Sequence, residues 1–220
     1  MKKSHLTCSG LVFFLFMALV PSVTATTYTF SPNPNDMQGL DHQYYYFWRI
    51  KWSVPSNEII TDASFTYTNI YDWQVESTDT LHTWLFDTRP SGGTRLASNP
   101  TNTWRWSDNE DGEDSWSTWS GTKTKVGTWN DPYGGSAWNH NEIYSFSSLG
   151  LLDDLTAYAA NDGVFGFAID PDCHYLNSGI KFTITTVDDH IPNDVPEPAT
   201  ILLLGFGLFG LAGFRKKFKK

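Results

Sequence analysis

Along most of the chain, bulky and polar residues alternate with a period of two. Residues 44–54 alternate around Trp48, Ile50 and Trp52, and residues 59–71 do so around Ala63, Phe65 and Tyr67. Residues 80–87 set Leu81, Thr83 and Leu85 against His82, Trp84 and Phe86, a run suited to burial on both faces. Residues 121–129, 142–147, 164–169 and 180–187 read as further strands, and 26–30 as a strand that opens the sheet. Such alternation places successive side chains on opposite faces of a sheet. The breaks carry turn chemistry: Val54-Pro55-Ser56-Asn57, Arg89-Pro90-Ser91-Gly92-Gly93, Asp131-Pro132-Tyr133-Gly134-Gly135 and Asn177-Ser178-Gly179. Residues 148–161 depart from this pattern. Leu149, Leu152, Leu155, Tyr158 and Ala159 fall at helical spacing, which predicts one short amphipathic helix. The expected fold is all-β: an antiparallel two-sheet sandwich of jelly-roll kind with a single short helix.

The two ends break the alternation in another way. Lys2 and Lys3 precede an apolar run over 11–20, and Val23-Thr24-Ala25 supplies small residues for cleavage after Ala25. This is the pattern of a signal peptide over 1–25. At the other end, 199–214 is a 16-residue uncharged stretch, and five of the last six residues are basic. It is short for a bilayer core, which takes about 20 apolar residues. Snorkelling of the flanking lysines lengthens its reach. The basic tail 215–220 holds the carboxyl end on the cytoplasmic side. The expected order is signal peptide 1–25, β-sandwich 26–187, linker 188–198, transmembrane segment 199–214 and cytoplasmic tail 215–220.

Val195-Pro196-Glu197-Pro198, the apolar run and then Arg215-Lys216-Lys217 resemble the PEP-CTERM sorting signal. The resemblance implies export, membrane anchoring before processing, and an exosortase as processing partner in bacteria that make exopolysaccharide. It leaves the delivered domain unassigned, since function belongs to sites and not to address signals. Gly166-Phe167 followed by Asp170-Pro171-Asp172-Cys173-His174 also resembles exported sandwich domains that carry this signal.

All 24 acidic residues of the chain lie within 26–198 against eight basic ones, a formal charge of −16 there. This argues against nucleic acid as a partner, because phosphate binding needs clustered Lys and Arg. Net acidity keeps an exported protein soluble and also gathers divalent cations. With Cys8 in the signal peptide, Cys173 remains alone, and no intramolecular disulfide is available. A buried position suits it. Adjacent Cys173 and His174 are poor zinc co-ligands, and neither Cys-x-x-Cys nor His-x-x-x-His is present.

Candidate chemistry concentrates in 89–142. Trp104, Trp106, Trp116, Trp119, Trp129 and Trp138 stand among Gly, Ser, Asn and Asp. Two readings compete: flat rings on which sugars stack, beside polar groups that take the hydroxyls, or caps that cover the sandwich core. Asp108, Asp111 and Asp114 in one run, and Asp170 and Asp172 in another, offer oxygen ligands for calcium, although the first run does not fit an EF-hand. A solvated acidic loop is the alternative. There is no Gly-x-Ser-x-Gly nucleophile motif. The leading expectation is therefore a structural or polysaccharide-binding component of the envelope or matrix. The rival is a glycoside-cleaving enzyme that works with two of the many carboxylates.

Overall fold

A computed structural model describes residues 24–74, 79–98, 100–108 and 114–189, together with Gly207. The sorting motif, the apolar segment 199–214, the basic tail and most of the signal peptide lie outside the described residues. Among those described, no helix is long and apolar enough to cross a membrane.

Among the described residues, eleven strands form two sheets. They are β1 (Ala25–Phe30), β2 (Tyr44–Lys51), β3 (Glu58–Asp72), β4 (Leu81–Phe86), β5 (Thr94–Arg95), β6 (Thr103–Ser107), β7 (Lys123–Trp129), β8 (His140–Ser145), β9 (Val164–Pro171), β10 (Tyr175–Leu176) and β11 (Gly179–Asp188). A five-stranded sheet runs β1-β11-β3-β10, with β8 also paired to β3, and a six-stranded sheet runs β5-β6-β2-β9-β4-β7. Every pairing is antiparallel. β1 starts at Ala25, at the expected cleavage point. The expected all-β, two-sheet architecture is thus present. The alternating runs of 44–54, 59–71, 80–87, 121–129, 142–147, 164–169 and 180–187 each coincide with most of a strand. The short strands β5, β6 and β10 were not foreseen.

The predicted single helix is two: α1 (Phe146–Leu149) and α2 (Leu152–Asn161). Gly150 between them adopts the left-handed conformation at φ 71° and caps α1 through its N–H. As a result Leu149 points outward and is 47 % exposed, while Leu155, Tyr158 and Ala159 are buried as the spacing predicts. Thr124 Oγ1 donates to Asp154 Oδ2 at 2.7 Å, which ties α2 to β7.

The core lies between the sheets and is rich in aromatic residues. Phe65 of β3 meets Phe167 of β9 at 4.5 Å between ring centroids, and Phe167 meets Phe182 of β11 at 4.7 Å. Tyr67 and Thr83 share a buried hydroxyl hydrogen bond of 2.7 Å from sheet to sheet. Each such ring removes a large apolar area from water, at roughly 25 cal/mol per Å². Gly166 in β9 packs where a Cβ would fall 2.3 Å from the Trp48 carbonyl oxygen and 2.6 Å from Phe47 Cζ. The backbone of β2 leaves no room for any side chain there.

Two substitutions check this packing. Phe65→Ala is expected to lower unfolding free energy by about 3–5 kcal/mol through the cavity it leaves. Gly166→Ala is expected to cost about 1–3 kcal/mol through overpacking. Denaturant melts of the full chain measure both, and an unchanged midpoint for either would contradict the assigned packing.

Candidate functional site

Alternation in the six-stranded sheet sends Tyr46, Trp48, Ile50, Leu81, Leu85, Phe165, Phe167 and Ile169 to the inter-sheet core. Their sequence neighbours Phe47, Phe86 and Ala168 form a second cluster on the outer face with Trp104 and Trp116, and Tyr45, Trp84, Trp106 and Trp119 pack against it. Strand register places Trp104, Phe47, Ala168, Trp84 and Lys125 side by side across five strands. The small Ala168 lies at the centre of that row, and fully buried Trp116 belongs to the same cluster.

Trp116 comes from the segment after the acidic run. Its ring lies 4.9 Å from Tyr45, 5.3 Å from Phe86, 5.4 Å from Trp106 and 5.3 Å from Trp119. Its Nε1 donates to the Ile169 carbonyl at 3.2 Å, so the indole is satisfied while buried. Turns hold the segment: Ser117 N donates to Asp114 O at 2.9 Å and Trp119 N to Trp116 O at 3.2 Å. Lys123 Nζ closes it by donating to the carbonyls of Ser117 at 2.8 Å, Trp119 at 2.6 Å and Trp116. The same ammonium lies over Trp84 and Phe86 at 5.2 and 5.7 Å.

This segment brings Asp114 and Ser115 onto the end of β9. Ser115 N donates to Asp170 Oδ2 at 2.6 Å, and Ser115 Oγ to Asp108 Oδ2 at 3.3 Å. Asp114 accepts from Trp84 Nε1 at 2.9 Å and from Lys125 Nζ at 3.0 Å. His82 sits between Asp114 and Asp172, at 3.7 and 3.6 Å. Thr80 Oγ1 donates to Asp172. Asp170 is fully buried, and its Oδ1 has no hydrogen-bond partner. Burial, and next the charge of Asp108, push its carboxyl up to about 8. It therefore holds a proton at neutral pH. Burial lowers the His82 pKa, against the opposing pull of Asp114.

The acids that sequence singled out thus come together in part. Asp108, Asp114, Asp170 and Asp172 gather around Ser115 and His82, while Asp111 lies outside the described residues. The tryptophans divide. Trp104, Trp106, Trp116 and Trp119 share the outer face. Trp129 belongs to the inter-sheet core, with its ring 5.4 Å from Tyr175. The Trp138 backbone lies in the 3-10 turn Ser136–Trp138, and its side chain is outside the described residues. Trp104 and Trp116 are buried, whereas Trp106 and Trp119 are half-buried.

An open pocket of about 480 Å³ borders Trp106, lined also by Tyr44, Gly93, Thr94, Arg105 and Ser107. Gly93, at φ 76°, lies so close that a Cβ would be 2.6 Å from the Trp106 ring. Tyr45 stacks on Trp106 at 5.8 Å with 4° between the planes. The Arg105 guanidinium lies 4.0 Å from the Tyr44 ring. Tyr45, Trp84 and His82 belong to the outer face, whereas Arg105, paired with Tyr46 across β2 and β6, reaches the pocket from the other side of the sheet edge; sequence reasoning about tryptophans alone passed over all four. Their signal was the two-sided alternation of 44–50 and 81–86. Cys173 is buried, as expected. Burial and then Asp72 push its thiol up to about 12.

The PEP-CTERM protein-sorting motif matches residues 194–217, which include Pro196, Glu197 and Pro198 and Arg215, Lys216 and Lys217. The motif marks an exported, envelope-targeted protein processed by an exosortase. No curated protein matches the chain.

A raised carboxylate pKa means that the folded state binds the proton more tightly than the unfolded one. Between about pH 4 and pH 8 Asp170 therefore lowers stability as pH rises, and above pH 8 its full penalty applies. Asp170→Asn, which keeps an acceptor for Ser115 N–H, is expected to flatten the fall of melting temperature over this window. A melting curve series in metal-free buffer reads it. Parallel pH profiles for the two chains would contradict the burial of an uncompensated Asp170.

Proposed function

We propose that the exported domain is a polysaccharide-binding component of the envelope or matrix, and that the sugar sits at the rim of the outer aromatic face. The observation that carries this reading is the half-exposed pair Trp106 and Trp119, beside the open pocket with Arg105, Tyr44 and Ser107. A pyranose has an apolar CH face that stacks on indole and hydroxyls that need polar partners. Trp106 supplies the first; Arg105, Ser107 and Thr94 supply the second. Trp104 and Trp116 act beneath them as support, because both are buried. The domain's acidity disfavours an anionic nucleic-acid chain but leaves neutral glycans unopposed.

Calcium belongs to the same reading. Asp108 and Asp170 meet through Ser115 where the Trp116 segment meets β9, and Asp114 and Asp172 flank His82 beside them. A cation there would replace the proton on Asp170 and use its unpartnered Oδ1. It would fix the segment that presents Trp119. Before processing, the apolar segment 199–214 holds the domain at the inner membrane, and the exosortase then passes it to the envelope or matrix.

Retention of the full chain on the producing cell's own exopolysaccharide tests the function. Each stacked ring contributes on the order of 1 kcal/mol. Trp106→Ala is therefore expected to weaken binding about fivefold or more, with the fold intact by circular dichroism. No retention on any polysaccharide of that cell, with or without calcium, removes the proposal. For calcium, millimolar Ca²⁺ is expected to raise the melting temperature at pH 8 and much less at pH 5. Asp170→Asn is expected to abolish the difference, and an equal response at both pH values would count against the site.

A further inference from the structure

On the opposite side of β9 lies a second group of acids that the glycan reading does not use. Asp72 ends β3, Asp79 lies just before β4, and Cys173 lies between β9 and β10. All three are buried, with relative exposures of 0 %, 0 % and 5 %. One ligand atom from each lies within 4.8 Å of the other two. Three separate stretches of chain supply them, which is why no spacing motif marks them in the sequence.

Local hydrogen bonding accounts for half of the Asp72 carboxylate. Its Oδ1 accepts from Gln74 N at 3.0 Å and from Cys173 Sγ at 3.1 Å. Its Oδ2 is buried without a hydrogen-bond partner. Tyr175, paired with Asp72 across β3 and β10, likewise buries a hydroxyl without a partner. Nearby Asp131, 2 % exposed, spends Oδ2 on the Asp72 N–H and Oδ1 on the Tyr133 N–H, both at 3.0 Å. Among the described residues, neither Asp72 nor Asp131 makes an ion pair. A buried carboxylate with an idle oxygen and no counter-charge is costly. A bound cation removes that cost.

We infer that Asp72, Asp79 and Cys173 bind one divalent cation of the zinc class, which staples the β3–β4 connection to the β9–β10 turn. Sulfur decides the class. A thiolate with two carboxylates suits a borderline or soft transition-metal ion, whereas calcium takes oxygen ligands alone. Zinc bonds are about 2.3 Å to sulfur and about 2.0–2.2 Å to carboxylate oxygen. Ligand atoms around such an ion therefore stand within about 4 Å of one another, and small side-chain movements close the set. Binding replaces the Cys173 thiol proton, which is hydrogen-bonded to Asp72 Oδ1, with the metal, and that proton leaves to solvent. With Cys8 in the expected signal peptide, no disulfide can perform this stapling.

The experiment uses the full chain, purified in detergent and stripped with a chelator. Co²⁺ is expected to bind in one equivalent with a near-ultraviolet sulfur-to-cobalt charge-transfer absorption, and Zn²⁺ is expected to displace it. Cys173→Ser is expected to abolish that absorption. Asp79→Asn is expected to weaken Zn²⁺ binding about tenfold or more. X-ray absorption at the zinc edge of the unsubstituted chain requires no variant, and is expected to show one sulfur neighbour at about 2.3 Å. No sulfur neighbour, a cobalt absorption that survives Cys173→Ser, or binding of Ca²⁺ but of neither Zn²⁺ nor Co²⁺ would each overturn the assignment. A glycan-binding failure leaves these readouts unmoved.

Discussion

The outer half of this domain depends on one burial: Trp116 in the aromatic cluster around Ala168. Phe47 on β2 and Trp84 on β4 flank Ala168. A bulky residue at 168 would occupy the middle of the cluster that Trp116 fills. With the indole down and its N–H satisfied by Ile169 O, the chain on either side has no freedom to choose its course. Before it, Ser115 bridges Asp108 and Asp170; after it, Lys123 draws three carbonyls together. The aromatic rim and the acidic cluster are two consequences of that one contact.

Electrostatics set the balance among these acids. Taking Asp170 out of water beside Asp108 leaves it protonated at neutral pH, and its second oxygen idle. Asp114 and Asp172 are compensated by Trp84, Lys125, His82 and Thr80, so the frustration is concentrated on a single side chain. A similar imbalance on the inner side falls on Asp72. Native proteins leave few buried polar atoms unmet, and those that remain point to something that completes them.

Much of the sandwich was legible because period-two runs such as 164–169 and 180–187 were long and unambiguous. The segment 89–142 was not. β5 is two residues long and β6 five, too short to announce a period among so many Gly, Ser and Asn. Trp129 resembles Trp106 in local sequence yet joins the other face. A shift of register between Thr83 and Trp84 leaves Val126 without a partner in β4 and resets which residues of β7 point inward. The helical spacing of 148–161 was real, but it could not reveal the left-handed Gly150 that cuts it in two. The meeting of Asp108 with Asp170 through Ser115 arises only because Trp116 is buried against the outer face. Sequence supplied both runs and could not join them.

Sorting and binding answer to different parts of the chain. The motif over 194–217 marks delivery, and the proposed polysaccharide binding belongs to the aromatic face. The most direct test of that division is fluorine NMR of fluorotryptophan-labelled full chain during titration with the native exopolysaccharide. The account predicts shifts at the rim residues Trp106 and Trp119, and none at buried Trp48 and Trp129. Unmoved rim signals, or shifts confined to the exposed Trp73, would contradict it.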